Sequence, residues 1–238
     1  MPKRYWYVIL TYLIVQFSAI PVALFVKSFF IDYYTDIIIY WNIFSFIAGL
    51  FAILYLMKPD MQMRADPEAA TAGSIIGWSI LGILLAFLVQ YAAALIEVFI
   101  LGIPAGSENT MQIMDIARYN PLFILLPAII APILEEIIFR KIIFGTLYKR
   151  MNFILAALLS GLIFGVIHME LSHLLGYTTM GMVFAFLYVK TKRIIVPIIV
   201  HAGMNSIVVI AQYSITPEEI ENMQKMLDDL QMILLHIF

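Results

Sequence analysis

The sequence predicts an all-α, polytopic bundle of transmembrane helices, and three observations carry this prediction. Of the 238 residues, 63% are hydrophobic and only 13% are charged, about half the charged share of a soluble domain. The mean hydropathy is +0.96. The apolar residues form long continuous runs instead of the alternating pattern of a membrane barrel, and about 20 such residues cross a bilayer as a helix.

Seven apolar runs are candidate spans, and they extend over Tyr5–Val26, Ile37–Met57, Ser74–Leu101, Leu122–Phe139, Phe153–His168, Leu174–Val189 and Ile194–Tyr213. The fifth and sixth runs are short and need neighbouring residues to complete a crossing. The first run follows Lys3 and Arg4, as the core of a signal peptide would. It is longer than such a core and lacks a small-residue cleavage site, so we expect it to be retained as a span.

The chain becomes amphipathic after the seventh run. Thr216, followed by Glu218 and Glu219, predicts the start of a helix. From Ile220 to Phe238 the apolar residues recur at helical spacing. We expect this helix to lie on the bilayer surface or against the bundle, and an eighth span is the alternative.

The whole chain, 1–238, is expected to form one integral membrane domain. Its parts are the N-terminal spans and loops (1–121), a motif-bearing core (122–213) and the C-terminal amphipathic helix (214–238).

The lysines and arginines favour a cytoplasmic N-terminus. With that orientation, ten of them lie in inner segments, namely Lys3, Arg4, Lys58, Arg64, Lys141, Lys149, Arg150, Lys190, Lys192 and Arg193. Three lie in outer segments, namely Lys27, Arg118 and Lys225. We therefore expect a multi-pass protein of the cell membrane.

The residue types that are absent limit the chemistry. The chain has no cysteine, which excludes disulfides, thiolate zinc sites and cysteine nucleophiles. A bound metal would need His, Glu, Asp or Asn ligands. The sequence also lacks the large basic patch that binds nucleic acid.

Two adjacent acids, Glu135 and Glu136, lie with Arg140 in one of the most apolar parts of the chain. Charged groups are costly in hydrocarbon, so such a stretch is a functional-site hypothesis. On a helix, Glu136 and Arg140 are four residues apart and pair along one face, whereas Glu135 points about 100° away. We therefore expect a supporting Glu136–Arg140 pair and a Glu135 carboxylate that is free to act as a general base. A purely structural ion pair at a helix end is the alternative.

Two further fragments place polar side chains in apolar runs. His168 ends the fifth run, and His201 and Asn205 lie four residues apart in the seventh, on one helix face. The second fragment is able to supply metal ligands, or one ligand and an amide donor for an oxyanion. An interhelical hydrogen-bond pair is the alternative. We interpret Glu170 and His173 as polar loop residues.

Together, the three fragments predict one site. Two imidazoles and an unpaired carboxylate, His168, His201 and Glu135, match the ligand types of a hydrolytic zinc site, so zinc or another divalent metal is the expected cofactor. The depths agree only if the fourth helix continues past Arg140 to about Tyr148, because Glu135 and His168 would otherwise lie near opposite faces of the bilayer. The one-site hypothesis therefore predicts a long, bent fourth helix.

The fragments read Glu-Glu-x-x-x-Arg, Phe-x-x-x-His and His-x-x-x-Asn, in this order, and they resemble the signature of the CPBP family. Members of that family are intramembrane proteases related to the type II CAAX prenyl endopeptidase, and they include proteins linked to bacteriocin immunity. All three motifs are intact, and the resemblance covers roughly Leu122 to Tyr213. It implies an intramembrane endopeptidase that hydrolyses a peptide bond in a membrane-associated or lipid-modified substrate.

The resemblance also implies roles for individual residues. Glu135 matches the family's catalytic glutamate, and His168 matches the histidine that helps to activate water. His201 and Asn205 match the pair that completes the site, as metal ligands or oxyanion donors. The supporting positions are matched by Glu136 and Arg140. The family is commonly described as metalloproteases, but a metal-free glutamate mechanism has also been proposed for it, and the sequence is compatible with both.

Two other functions stay open at this point. A membrane protein that binds a peptide without turnover, such as an immunity factor, would not need the motif residues for protection. A proton- or ion-coupled transporter also buries Glu and His, although the sequence lacks the internal repeat that many transporters show.

Overall fold

The computed structural model describes residues 1–63 and 66–237, and this part of the chain consists of helices and connecting loops, without strands. The main helices are α1 (Lys3–Phe17), α2 (Ala19–Phe29), α3 (Tyr34–Met61), α4 (Ala72–Phe99), α5 (Glu108–Tyr119), α6 (Pro121–Leu147), α7 (Phe153–Ile167), α8 (Leu174–Thr191), α9 (Ile195–Ser214) and α10 (Pro217–Ile237). The predicted all-α bundle is confirmed.

Six segments of the described chain are long and apolar enough to cross a membrane, and α7 is a shorter apolar helix. The six segments are Lys3–Phe29, Ile31–Met61, Ala72–Phe99, Pro121–Leu147, Leu171–Thr191 and Ile195–Ser214. Together with α7 they match the seven predicted runs in order, which confirms a multi-pass helical membrane protein. Within the described residues α10 does not have the length and apolar composition of a span, so no eighth candidate span is present there.

The predicted start of α10 is a capping box at Thr216. The Thr216 hydroxyl accepts a hydrogen bond from the N–H of Glu219 at 3.3 Å. In return, the Glu219 carboxylate accepts hydrogen bonds from the N–H and the hydroxyl of Thr216, both at 2.8 Å. Both of these bonds lower the pKa of the Glu219 carboxyl, and the bond from the backbone N–H has the larger effect. The position of α10, on the bilayer surface or against the bundle, stays a prediction.

The first predicted span is interrupted at Ser18, between α1 and α2. Pro21 lies in the first turn of α2 and has no N–H to donate to the carbonyl of Phe17, and in a continuous helix its ring would collide with that carbonyl. The indole N–H of Trp41, on α3, donates a hydrogen bond to the Ser18 hydroxyl at 3.0 Å. The interruption is therefore a fixed point of contact between the first two spans.

The fourth predicted span is longer than its apolar run, because α6 ends at Leu147 instead of Phe139. The length that the one-site hypothesis requires is thus confirmed. Two stretches of α6, Leu126–Ile130 and Glu136–Phe144, have π-helical hydrogen bonding. Such segments are rare and occur frequently at functional sites.

Proline explains the first π-helical stretch of α6. The N–H of Ala131 donates to the carbonyl of Leu126, five residues back. The next donor in this pattern would be Pro132, which has no N–H. The carbonyl of Pro127 is therefore left without the backbone donor that would continue the π-helical pattern.

Glycines bring α7 and α8 into close contact. A Cβ atom at Gly161 would lie 2.6 Å from the carbonyl oxygen of Thr178, and a Cβ atom at Gly181 would lie 2.7 Å from the Cα of Gly161. Gly161 and Gly165 have the spacing of small residues that is typical of membrane helix interfaces. This contact fixes α7, and with it His168, against α8.

Replacing Gly161 by alanine is expected to lower the free energy of unfolding by about 1–3 kcal/mol, because the new methyl group meets backbone atoms that cannot rotate away. The measurement is the unfolding of the purified protein from mild detergent into a denaturing one. Gly77→Ala on α4 is the matched control: a Cβ there meets nothing within 4 Å, so the stability should stay the same or rise. Equal stability of the two variants would contradict the close contact.

Candidate active site

The four predicted catalytic residues, Glu135, His168, His201 and Asn205, all line one cavity of about 710 Å³. The cavity lies among the spans and is bordered by side chains from both halves of the chain. A shallower surface groove of about 450 Å³ beside Trp41 contains none of them. The structure therefore brings the three sequence fragments to one place, as the one-site hypothesis requires.

The predicted Glu136–Arg140 ion pair is present, and both side chains are fully buried. Arg140 Nε lies 3.1 Å from Glu136 Oε2, without the alignment of a hydrogen bond. The other carboxylate oxygen, Glu136 Oε1, accepts a hydrogen bond from His201 Nδ1 at 2.9 Å. Glu136 therefore connects α6 to α9 and fixes the position of the His201 ring, a contact that the sequence did not predict.

Aromatic rings surround the Arg140 guanidinium. Its central carbon lies 4.5 Å from the ring centroid of Phe164, 4.9 Å from that of Phe184 and 5.9 Å from that of Phe139. The three guanidinium nitrogens donate no hydrogen bond to the described residues. Cation–π contacts of about 0.5–2 kcal/mol each therefore join the Glu136 carboxylate in stabilising this buried cation.

His201 lies between the two adjacent carboxylates of α6. Because its Nδ1 donates to Glu136, the neutral ring carries no proton on Nε2. That nitrogen lies 3.7 Å from Glu135 Oε2. The ring stacks on Phe184 with centroids 4.7 Å apart and planes at 21°. The Glu135 carboxylate makes no hydrogen bond within the described part of the chain, so of the two acids it is the one available for chemistry.

His168 is held in one orientation by its own helix and by α8. Its Nδ1 donates to the carbonyl of Phe164 at 2.7 Å, which again leaves Nε2 proton-free in the neutral ring. The ring stacks on Tyr177, with centroids 4.2 Å apart, and it meets the edge of Phe164 at 4.5 Å. Phe164 also lies 5.9 Å from the His201 ring, so this phenyl group is the shared contact of the two histidines.

Glu170, interpreted from the sequence as a loop residue, connects the His168 stack to α5. Its carboxylate accepts hydrogen bonds from the Tyr177 hydroxyl at 3.0 Å and from the Ser107 hydroxyl at 2.8 Å. Ser107 is the N-cap of α5 and accepts the N–H of Thr110. The loop after α4, for which the sequence analysis predicted no helix, is therefore fixed beside the site. Ser107 with an acid at the next position is the N-cap signal that could have identified α5.

Asn205 makes an interhelical contact. Its side-chain Nδ2 donates to the carbonyl of Pro127 at 2.9 Å, the carbonyl that the π-helical pattern of α6 leaves without a backbone donor. An amide nitrogen carries two hydrogens, so one N–H of Asn205, which lines the cavity, is not used by this contact. The interhelical role and the predicted oxyanion role are therefore compatible.

The residues as they are arranged do not form a three-ligand metal site. No three His, Asp or Glu side chains of the described chain come close enough together to hold an ion. Glu135 and His201 approach each other, but His168 is held against Phe164 and Tyr177. Zinc binding by Glu135, His168 and His201 stays a prediction.

Comparison with known proteins places the chain in a family. A family description that reads Type II CAAX prenyl endopeptidase Rce1-like matches residues 117–207, the segment that contains all four predicted catalytic residues. The chain is also 43% identical over 222 residues to a provisionally named membrane peptidase, YdiL of Bacillus subtilis (strain 168), covering 89% of this chain and 90% of that protein. The chain belongs to the type II CAAX endopeptidase-like family of membrane peptidases.

The chain is also similar over most of its length to a second protein of the CAAX endopeptidase-like family. The membrane-embedded CAAX protease MroQ of Staphylococcus aureus (strain USA300) is 34% identical over 231 residues, which cover 92% of this chain and 93% of that protein. The search of solved structures found no match. The family resemblance inferred from the three motifs is confirmed.

The CAAX endopeptidase-like match does not include the first four helices, yet three of them contribute to the cavity. Gln16, Asn42 and Gln90, from α1, α3 and α4, line it together with Glu97 and His173. The sequence analysis assigned none of these five to the site. The sequence did contain a signal for Glu97, which is the only charged residue in the apolar run Ser74–Leu101. A charged residue within a membrane span is rarely without function.

Proposed function

We propose that this member of the CAAX endopeptidase-like family is an intramembrane endopeptidase that cleaves a membrane-associated or lipid-modified peptide. One observation carries the proposal: the Glu135 carboxylate, which has no hydrogen bond to the described residues, lines the cavity 3.7 Å from His201 Nε2, while its neighbour Glu136 is held by Arg140 and His201. Two adjacent acids thus have different surroundings, as general acid–base chemistry requires. The orientation that the lysines and arginines favour, with a cytoplasmic N-terminus in the cell membrane, is part of this proposal.

The reaction that these groups support is hydrolysis by an activated water. Glu135 Oε2 and His201 Nε2 are two acceptors at a separation that one water molecule bridges with its two hydrogens. When the water oxygen forms a bond to the peptide carbonyl carbon, Glu135 takes the proton. His168 Nε2 is a further acceptor on the cavity wall, and it orients the water, as its family position implies, when the water gives up its hydrogen bond to His201.

The later steps use the amide and the same carboxyl group. The tetrahedral oxyanion accepts a hydrogen bond from the free N–H of Asn205. Glu135 then returns its proton to the leaving nitrogen as the carbon–nitrogen bond breaks, so that a carboxylic acid and an amine are formed. His201, which Glu136 holds in place, stabilises the protonated form of Glu135 by accepting its proton in a hydrogen bond.

Metal removal separates this mechanism from a zinc-dependent one. Since the described side chains do not gather three ligands, we expect turnover to survive dialysis against EDTA and 1,10-phenanthroline, with less than about a twofold change. The measurement is peptide hydrolysis by the purified protein in detergent, with metal content determined in parallel. Loss of turnover that added zinc restores would contradict the metal-free mechanism and support the predicted zinc site.

The proposed function is tested by a comparison of protein termini in cells. Native-host cells carrying the wild type or Glu135→Ala at equal abundance are analysed by mass spectrometry of their membrane proteins. New termini that require Glu135 support an endopeptidase and identify its substrates. If the two strains have the same termini under all growth conditions in which the protein is expressed, the proposal is overturned in favour of a protein that binds without turnover.

A further inference from the structure

The charged side chains that line the cavity are all carboxylates. Among the described residues they are Glu97, from α4, and Glu135, from α6, and no lysine or arginine of the described chain is present in the lining. The remaining polar lining consists of histidines, a tyrosine, a threonine and the amides of Gln16, Asn42, Gln90, Asn109 and Asn205. The lining thus contains two carboxylates, and within the described chain it has neither a lysine nor an arginine to pair with a substrate carboxylate.

Glu97 is the carboxylate that the proposed reaction does not use. It is 3% exposed. One oxygen, Oε1, accepts a hydrogen bond from the N–H of Gly176 at 2.9 Å, and the other, Oε2, lies 2.9 Å from His173 Nδ1. Gly176 lies in the first turn of α8, so Glu97 also compensates the free N–H groups of that helix terminus.

These contacts do not exhaust the acceptor capacity of Glu97. A carboxylate has about four lone-pair sites, and the two contacts occupy one on each oxygen. Two acceptor sites remain on a group that lines the cavity. A buried carboxylate with free acceptor sites attracts an ammonium or guanidinium group and repels a second carboxylate, with energies that are much larger than at an exposed surface.

We propose that Glu97 is a specificity-determining residue, which makes the cavity select a peptide segment that carries a lysine or arginine side chain and reject one that carries a carboxylate. This inference rests on the proposed endopeptidase function for its biological meaning. A cavity that rejects carboxylates is also unsuited to a C-a-a-X sequence, because the bond that is cleaved there is close to a free C-terminal carboxylate. The expected substrate is cut inside a longer chain, next to a basic residue.

Peptide binding tests the inference without turnover. The full-length Glu135→Ala protein is placed in phosphatidylcholine nanodiscs, and three fluorescent apolar peptides with capped ends are titrated. They are identical except for one central lysine, glutamine or glutamate, and empty nanodiscs correct for partition into lipid. The lysine peptide is expected to bind about tenfold more tightly than the glutamate peptide, with the glutamine peptide between them.

A second variant assigns the preference to Glu97. In Glu97→Gln an amide oxygen remains for the N–H of Gly176, and the advantage of the lysine peptide is expected to fall to about twofold or less. Glu108→Gln is the matched control, because Glu108 is exposed at the start of α5 and does not line the cavity; it should keep the full preference. Thermal unfolding shows whether each variant is folded, and the three peptides on the Glu135→Ala protein decide the preference even if Glu97→Gln does not fold.

The outcomes distinguish the inference from the proposed function. Equal binding of the lysine and glutamate peptides, or an undiminished preference in folded Glu97→Gln, overturns the selectivity of Glu97 whatever the turnover. Cleavage of the glutamine peptide by the wild type, together with equal binding of all three peptides, retains the endopeptidase and rejects the inference. Selective binding without cleavage of any peptide supports Glu97 and counts against the endopeptidase.

Discussion

Glu135→Gln is expected to lower the rate of peptide hydrolysis by about 10²–10⁴-fold, the contribution typical of a general base. The amide has the size of the carboxyl group but cannot take a proton from water. Glu135 Oε2 has a single charged or imidazole neighbour at short range in the described chain, His201 Nε2 at 3.7 Å. The effect should therefore appear in kcat, while the KM for a membrane-anchored peptide changes little.

The fold of the Glu135→Gln protein is the control. Since the carboxylate accepts no hydrogen bond from the described residues and is partly open to the cavity, its melting temperature should stay within about 3 °C of the wild type. Wild-type turnover by the folded variant would remove Glu135 from the mechanism. A folded variant with reduced turnover that returns on addition of formate or acetate would strengthen the assignment, because a small carboxylate then replaces the missing base.

Arg140→Met is expected to lower the free energy of unfolding by about 3–5 kcal/mol, the usual cost of removing one member of a buried ion pair. The substitution leaves the Glu136 charge buried without its cation and also removes the cation–π contacts with Phe164 and Phe184. Those rings contact His168 and His201, so turnover should fall together with stability. Unfolding in mixed detergent micelles measures the first effect and peptide hydrolysis the second.

Two comparisons define the cause of that loss. The Glu136→Gln/Arg140→Met double variant should regain part of the stability, because no buried charge remains unpaired. Lys225→Met is the matched control, since Lys225 forms an ion pair with Glu221 at 2.8 Å with the same four-residue spacing but on an exposed helix surface. It should cost less than about 0.5 kcal/mol. An Arg140 variant as stable as the Lys225 variant would refute the role of the buried pair.

Local patterns in the sequence were sufficient for the spans and for part of the site. Continuous apolar runs identify membrane helices because backbone polar groups in lipid must bond within the helix. The Glu136–Arg140 pair was predictable because its four-residue spacing is a property of one helix. The length of α6 followed from a depth argument, since Glu135 and His168 had to meet inside the bilayer.

Contacts between distant segments were not predictable in the same way. The hydrogen bond from His201 to Glu136 joins residues 65 positions apart, and its existence depends on how α6 and α9 pack. The contact of Asn205 with Pro127 depends on the π-helical hydrogen bonding of α6, for which periodicity gives no signal. The sequence analysis assigned Glu97 no partner, because its partner His173 lies in the connection before α8 and is brought to it only by the fold.

The length of α7 determines which lipid surroundings suit this enzyme. The helix has 15 residues and therefore measures about 22 Å, whereas the hydrocarbon core of a bilayer is about 30 Å thick. Lipids beside so short a helix must shorten or tilt to avoid hydrophobic mismatch. His168 directly follows the last residue of α7, so we expect water to reach this part of the cavity across a locally thinned membrane. Acyl-chain length is thereby expected to control the supply of one of the two reactants, the water.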